Sequence, residues 1–218
     1  MKTKYIFLSV WAMIIAFTLT SCDGFLNQPP YDDFTDEEYW QNEDQTRTYM
    51  YGFYTSIFSG YGSGASHGSF LMGQTSNDDF ASDVEQKDLT PLVVPESDGS
   101  WSFTNIRKAN YALENIHRID ASDAAKNHWR GVARFLRAYY YSNLVFRYGD
   151  VPWYDRVPKL SSSKEDMDYL YKDRDPRAYV DSCIMADFQY AMDSVRESDG
   201  ALQVNKYVVA AMASRFML

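Results

Sequence analysis

The segment from Trp129 to Tyr154 constrains this chain more than any other, because it reads as a long helix with a hard stop. Trp129, Ala133, Leu136, Tyr140 and Leu144 recur at three- and four-residue steps and so share one helical face. Gly149 offers the left-handed residue that closes many helices, and Pro152 forbids resumption. Counted from Ser122, an N-cap by residue type, the helix covers about 27 residues, or roughly 40 Å at 1.5 Å per residue. An element of that length must pack against several neighbours.

The neighbours are also helical by pattern. Asn42 is an N-cap with Gln45 at the capping-box position, and Tyr49, Met50, Phe53, Tyr54 and Ile57 give the first helix an apolar face before Gly60. A second helix opens at Trp101, carries Ile106, Ala109, Leu113 and Ile116, and ends near Asp120. The short joint to Ser122 makes it and the long helix a helical hairpin. Asp155 to Arg174 is polar and reads mostly as loop, with Ser161-Ser162-Ser163 its least ordered point. Asp175-Pro176 then restarts helix with an N-cap acid and a first-turn proline, and that helix runs to about Glu197, before Gly200. Asn205 caps a last helix holding Tyr207, Ala210, Ala211, Ser214 and Phe216. Two hairpins of roughly 35 to 45 residues in tandem predict an all-α, tetratricopeptide-like fold with long irregular loops. From Gly60 to Ser100 helical periodicity vanishes, and a connection of that length inside a domain is usually functional. The chain ends at Leu218 inside a helix, with no cap for its carbonyls. The expectation is an N-terminal part, truncated before a C-terminal region.

The start of the chain has a separate logic. Lys2 and Lys4 precede an apolar run from Tyr5 to Leu19, shorter than the roughly 20 residues that span a bilayer, so residues 1–21 read as an export signal. The run closes Leu19-Thr20-Ser21-Cys22, small residues before a cysteine, which is the pattern of a bacterial lipoprotein signal with Cys22 as the acylated residue. Residues 22–41, with Pro29 and Pro30, read as an extended tether, and residues 42–218 as the helical domain. Lipidation leaves Cys183 alone, and its place beside Val180, Ile184 and Phe188 reads as a small buried hydrophobe.

Removing residues 1–21 takes two lysines and no acids, deepening the net charge from −9 to −11. So acidic a chain repels phosphate backbones, which excludes nucleic acid as a partner, and leaves membrane attachment to the lipid. Catalytic patterns are missing. His67, His117 and His128 lack zinc spacing, no nucleophile elbow or phosphate-cradling glycine pattern occurs, and no cofactor is implied. Asn77, Asp78, Asp79, Asp83 and Glu85 lack the ordered spacing and glycine of a calcium loop and read as a solvated acidic loop, with no metal assigned. Arg130, Arg134 and Arg137 form a stripe better read as partners for acids such as Glu114 or Asp187 than as an anion site.

Aromatics are the better lead: 18 Tyr, 13 Phe and 5 Trp, several in turn-rich segments. Rings beside Asn, Asp and Gln suit sugars, whose C–H faces stack on aromatics while hydroxyls take side-chain hydrogen bonds. Tyr61, Phe70, Asn77, Asp78, Trp101 and Trp153 are the candidate ligand contacts, the two tryptophans reading as core first and as contacts second.

Four blocks give the chain a family likeness. They are Cys22 to Pro29; Trp101 with Ile106-Arg107-Lys108-Ala109-Asn110; Ala133 to Ala138 continuing to Gly149-Asp150-Val151-Pro152; and Tyr179 to Ala191 with Asp187. In these the chain resembles the N-terminal part of the SusD/RagB family of surface lipoproteins. It departs at Gly131-Val132-Ala133, where the family commonly has Gly-Glu-Ala. The resemblance implies lipid anchoring on the outer-membrane surface and a non-catalytic protein that captures glycans for a SusC-like TonB-dependent transporter. A scaffold or lid for that transporter with little glycan affinity, or a peptide-capturing variant, stays open as the alternative.

Overall fold

In the computed structural model, residues 39–58, 99–158 and 163–217 are described, and among them all regular structure is helical. Six α-helices follow one another: α1 Glu43–Ile57, α2 Thr104–Asn115, α3 Asp123–Tyr148, α4 Lys164–Leu170, α5 Arg177–Ser194 and α6 Lys206–Met217. A single 3-10 turn, Ile116–Arg118, joins α2 to the loop before α3.

The 26 residues of α3 form the axis against which α5, α2, α1 and α6 pack. Ser122 caps its start by accepting a hydrogen bond from the Ala125 N–H (3.2 Å), and Gly149 closes it at φ 72°. The expected apolar face is buried, Tyr140 excepted: it is half-buried, with its hydroxyl 2.6 Å from Ser56 Oγ on α1. A second face is buried as well, through Val132, Phe135, Ala138, Tyr141 and Val145. That face meets α5, whose Val180, Ile184, Phe188 and Ala191 repeat at helical spacing. Phe135 lies 6.3 Å from Phe188, which stacks in turn on Phe216 of α6. Gly131 permits the closest approach, since a Cβ there would sit 2.8 Å from Val195 Cγ2. Val132, where the family commonly has glutamate, is fully buried, which suits an apolar residue and no charge.

Several boundaries differ from the sequence reading. The capping box at Asn42 and Gln45 forms as expected, and α1 ends at Ile57. Trp101 does not open α2, whose first helical hydrogen bond runs from the Arg107 N–H to the Phe103 carbonyl. The rings of Trp101 and Phe103 are drawn instead toward Tyr148 and Tyr154, at 4.9 and 5.4 Å between centroids, which keeps their backbone out of the helix. Within the expected polar loop lies α4, capped by Ser163, whose hydroxyl accepts from the Asp166 N–H (3.2 Å). Asp175 does not cap α5. Its carboxylate is taken by the Trp153 N–H and by Lys172, and Asp150 accepts from the Arg177 N–H at 2.8 Å in its place. The last cap holds, with Asn205 Oδ1 accepting from the N–H groups of Tyr207 and Val208. Cys183 is half-buried rather than buried, on the rim of α5.

Candidate functional site

The exit of α3, residues 149–158, is irregular chain that crosses the ends of α2 and α5, so its polar backbone groups need partners. Arg137 supplies the frame. Its guanidinium donates to both carboxylate oxygens of Asp187 on α5 (2.7 and 2.9 Å), to Asn110 Oδ1 on α2 (2.8 Å) and to the Asp155 carbonyl (3.2 Å). The side chains of Arg137 and Asp187 are 8% and 4% exposed. Desolvating two such charges is costly, and the bidentate pairing with the extra Asn110 bond is what offsets it. Arg134 adds a longer contact to Asp187 at 3.7 Å. Arg134 and Arg137 of the stripe are therefore structural, while Arg130 meets Asn127 (3.2 Å) and no acid among the described residues, and Glu114 pairs with no arginine of the stripe but accepts from the Val157 N–H at 2.8 Å.

Around this frame the exit is stitched down residue by residue. Asn110 donates to the Tyr154 carbonyl (2.8 Å). The buried Tyr141 hydroxyl donates to the Pro152 carbonyl (3.2 Å) and accepts from the Tyr154 N–H (2.6 Å). Burial pushes that phenol far above the ordinary tyrosine range, so it stays neutral. Burial would also raise the Asp175 carboxyl, but Lys172 and the Trp153 N–H outweigh it and hold it below the usual value. Trp153 is 7% exposed, its indole 4.2 Å from the Tyr141 ring with the Arg137 guanidinium 5.1 Å over it.

The outer side of the exit forms the wall of a cleft of about 690 Å³ between α2 and the segment after α4. Trp101, Phe103, Tyr154 and Tyr171 supply its rings, and Arg107, Arg156, Lys172 and Arg174 its cations. Trp101 is 38% exposed, wedged between Tyr148 and Phe103, with the Arg174 guanidinium 4.7 Å over its ring. Such a cleft can hold a flat apolar face against the rings and polar groups against the arginines.

Of the six expected contacts, the structure puts Trp101 at the mouth of this cleft and Trp153 behind its wall, on the Arg137 side. Tyr61, Phe70, Asn77 and Asp78 lie outside the described residues, as do Cys22 and the acidic loop from Asn77 to Glu85. Phe103 and Tyr171 are additional to the expected contacts, whereas Tyr154 belongs to the Pro152-Trp153-Tyr154 exit, whose aromatics among turn residues mark it in the sequence for a direct role. Phe103 stands two residues from Trp101 and so carries a signal, and Tyr171 lies in a segment that reads as polar loop. Among the described residues no three His, Cys, Asp or Glu side chains are placed to hold a metal ion, and no helix is long and apolar enough to cross a membrane.

Stacked helical hairpins thus hold an aromatic, cation-rimmed cleft. The chain belongs to the SusD-like family: residues 65–218 match the family described as "Starch-binding associating with outer membrane". That description names binding and an outer-membrane association, not a reaction. Among solved structures, a SusD-like protein from Bacteroides fragilis NCTC 9343 shares 21% identity and a TM-score of 0.58, over 87% of this chain and 37% of that one. A SusD-like carbohydrate binding protein from Bacteroides vulgatus ATCC 8482 shares 18% identity and a TM-score of 0.49, over 81% and 41%. The chain thus spans about two-fifths of the length of these structures. A search of curated proteins finds no match.

Proposed function

We propose that this chain is the N-terminal part of a cell-surface lipoprotein that captures oligo- or polysaccharide and passes it to a SusC-like TonB-dependent transporter. The observation that carries the reading is the cleft at the exit of α3, where Trp101, Phe103, Tyr154 and Tyr171 line one volume large enough for a few sugar rings. The family's description as starch-binding supports the ligand class. Residues 1–21 act as the signal, Cys22 carries the lipid, and residues 22–41 tether the helical domain of residues 42–218 to the outer membrane. The helical hairpins carry the transporter contact, and no catalytic step is involved.

Affinity electrophoresis of the full-length mature protein through gels holding different polysaccharides tests this. Retardation by at least one glycan is expected, reduced about fivefold or more in affinity by Trp101→Ala, on the basis that one aromatic contact is worth roughly 1 kcal/mol. No retardation by any polysaccharide overturns glycan capture. Unchanged nutrient uptake by a Trp101→Ala/Tyr171→Ala variant that still associates with the transporter favours the scaffold reading instead.

A further inference from the structure

The cleft has a charge of the opposite sign to the chain that builds it. The protein carries a net charge of −9, yet among the described residues the charged side chains lining the cleft are four cations, Arg107, Arg156, Lys172 and Arg174, and one acid, Asp173. Two of the four are already neutralised. Arg156 stacks on Tyr169 and lies 3.4 Å from Asp166, and Lys172 is 2.6 Å from Asp175. Arg107 and Arg174 are different: among the described residues neither has a carboxylate partner, and both are exposed. Arg174 holds its guanidinium 4.7 Å over the Trp101 ring, and among the described residues its N–H groups donate to no carboxylate. Arginine guanidinium is the side chain best shaped for bidentate donation to a planar or tetrahedral oxyanion.

Neutral sugar hydroxyls donate as well as accept, so a site for them is served by a balance of acceptors and donors. Among the described residues this cleft offers rings, one carboxylate in Asp173, and the unpaired donors of Arg107 and Arg174 in excess of it. Resting on the reading of the cleft as a glycan site, we propose that its ligand is an anionic saccharide, with a sugar face against Trp101 and its carboxylate or sulfate held by Arg107 and Arg174. The shared chemistry is a ring-borne oxyanion, and the two sources are uronic acids and sulfated sugars.

Isothermal titration of the full-length mature protein with matched probes separates these. Hexagalacturonate is compared with its methyl ester, and a sulfated dextran oligosaccharide with plain dextran of the same length. Binding of an acidic member at least tenfold tighter than its neutral partner is expected, weakening as sodium chloride is raised from 50 to about 500 mM. Arg107→Gln/Arg174→Gln is expected to erase that preference, since each charge-assisted bond contributes roughly tenfold or more; both side chains are exposed, and circular dichroism confirms folding. The probe that binds names the source. Binding of neutral members only, or equal binding of both, overturns the anionic ligand while leaving glycan capture standing. Acidic preference unchanged in the double variant overturns the assignment to this cleft. Binding of no probe here, with no retardation by any polysaccharide in the gels, removes glycan capture itself.

Discussion

Two clusters of charge lie along α3, one at its middle where the exit segment folds back on it and one at its start, and they differ in one physical respect. Near the exit, Arg137 and Asp187 are almost wholly desolvated, with side chains 8% and 4% exposed. Near the start, Arg196 bridges Glu43 and Asp199 at 2.7 Å each, and although Asp199 is only 7% exposed, Arg196 and Glu43 are 33% and 29% exposed. The Trp129 indole N–H also donates to Glu43 at 3.0 Å, and Arg47 lies 5.5 Å over the same indole. Burial alone would raise the Glu43 carboxyl, yet the Arg196 and Trp129 hydrogen bonds outweigh it and hold it below the usual carboxylate value. The start of α3 is a half-solvated clamp joining α1 to the chain after α5. The exit is a dry junction on which an irregular segment, and the cleft behind it, depend. Equal bond lengths therefore carry unequal weight, because water screens one set and not the other.

The largest test of that contrast is at the exit. Arg137→Leu leaves buried Asp187 with only the longer Arg134 contact and is expected to cost about 3–5 kcal/mol of unfolding free energy in urea titration. Arg137→Leu/Asp187→Leu is expected to recover most of it, since an apolar pair of similar volume suits that setting. A next effect, about 1–3 kcal/mol, is expected from Gly131→Ala, which forces a Cβ to 2.8 Å from Val195 Cγ2 where α3 and the end of α5 meet. It probes packing with no change of charge and calibrates the ionic variants.

At the start of α3, His128 reports on pH. Its Nδ1 accepts the Arg196 N–H at 3.1 Å, and its buried Nε2 lies 3.5 Å from Asp199 Oδ2 without a hydrogen bond. Burial disfavours the imidazolium more than Asp199 and Glu43 favour it, and Arg196 adds to the burial effect, so its pKa falls to about 4. The unfolded chain takes up that proton below about 6.5, the folded one only near 4. Stability is thus fully present above pH 6.5 and declines as pH falls toward 4, by roughly 2 kcal/mol after allowing for solvent screening. Thermal unfolding from pH 7.5 to 4 checks this, and His128→Gln should flatten that component. Trp101→Ala is expected to cost about 1–2 kcal/mol in stability, because the ring is 38% exposed yet stacked against Tyr148 and Phe103, while glycan affinity is expected to fall. Arg196→Met is expected to cost only about 1 kcal/mol; a loss as large as that of Arg137→Leu would abolish the distinction between the two clusters.

Much of this architecture could be read from residue order. Ser122 and Gly149 bounded α3, Asn42 with Gln45 opened α1, and Asn205 opened α6, because caps are local chemistry between residues a few positions apart. The signal for α4 was also present, in Ser163 followed three residues later by Asp166, and the surrounding polarity masked it. Asp175 was misassigned for a different reason. Its type and place before Pro176 fit a cap, but Trp153 and Lys172 had already claimed its carboxylate, and Asp150 reached the vacant N–H from another segment.

The candidate site divides along the same line. Trp101 and the exit segment were visible in sequence as aromatics among turn residues. Residue types and spacing could not say that Trp153 would turn inward under Arg137 while Tyr171 turned toward the cleft, or that among the described residues Arg107 and Arg174 would be left without acids as Arg156 and Lys172 found theirs. The sequence by itself determined where helices begin, end and present apolar faces, since those depend on neighbours within about four positions. Only the tertiary structure decided which charges are paired and dry and which remain free at the cleft, because that depends on groups brought together from distant parts of the chain.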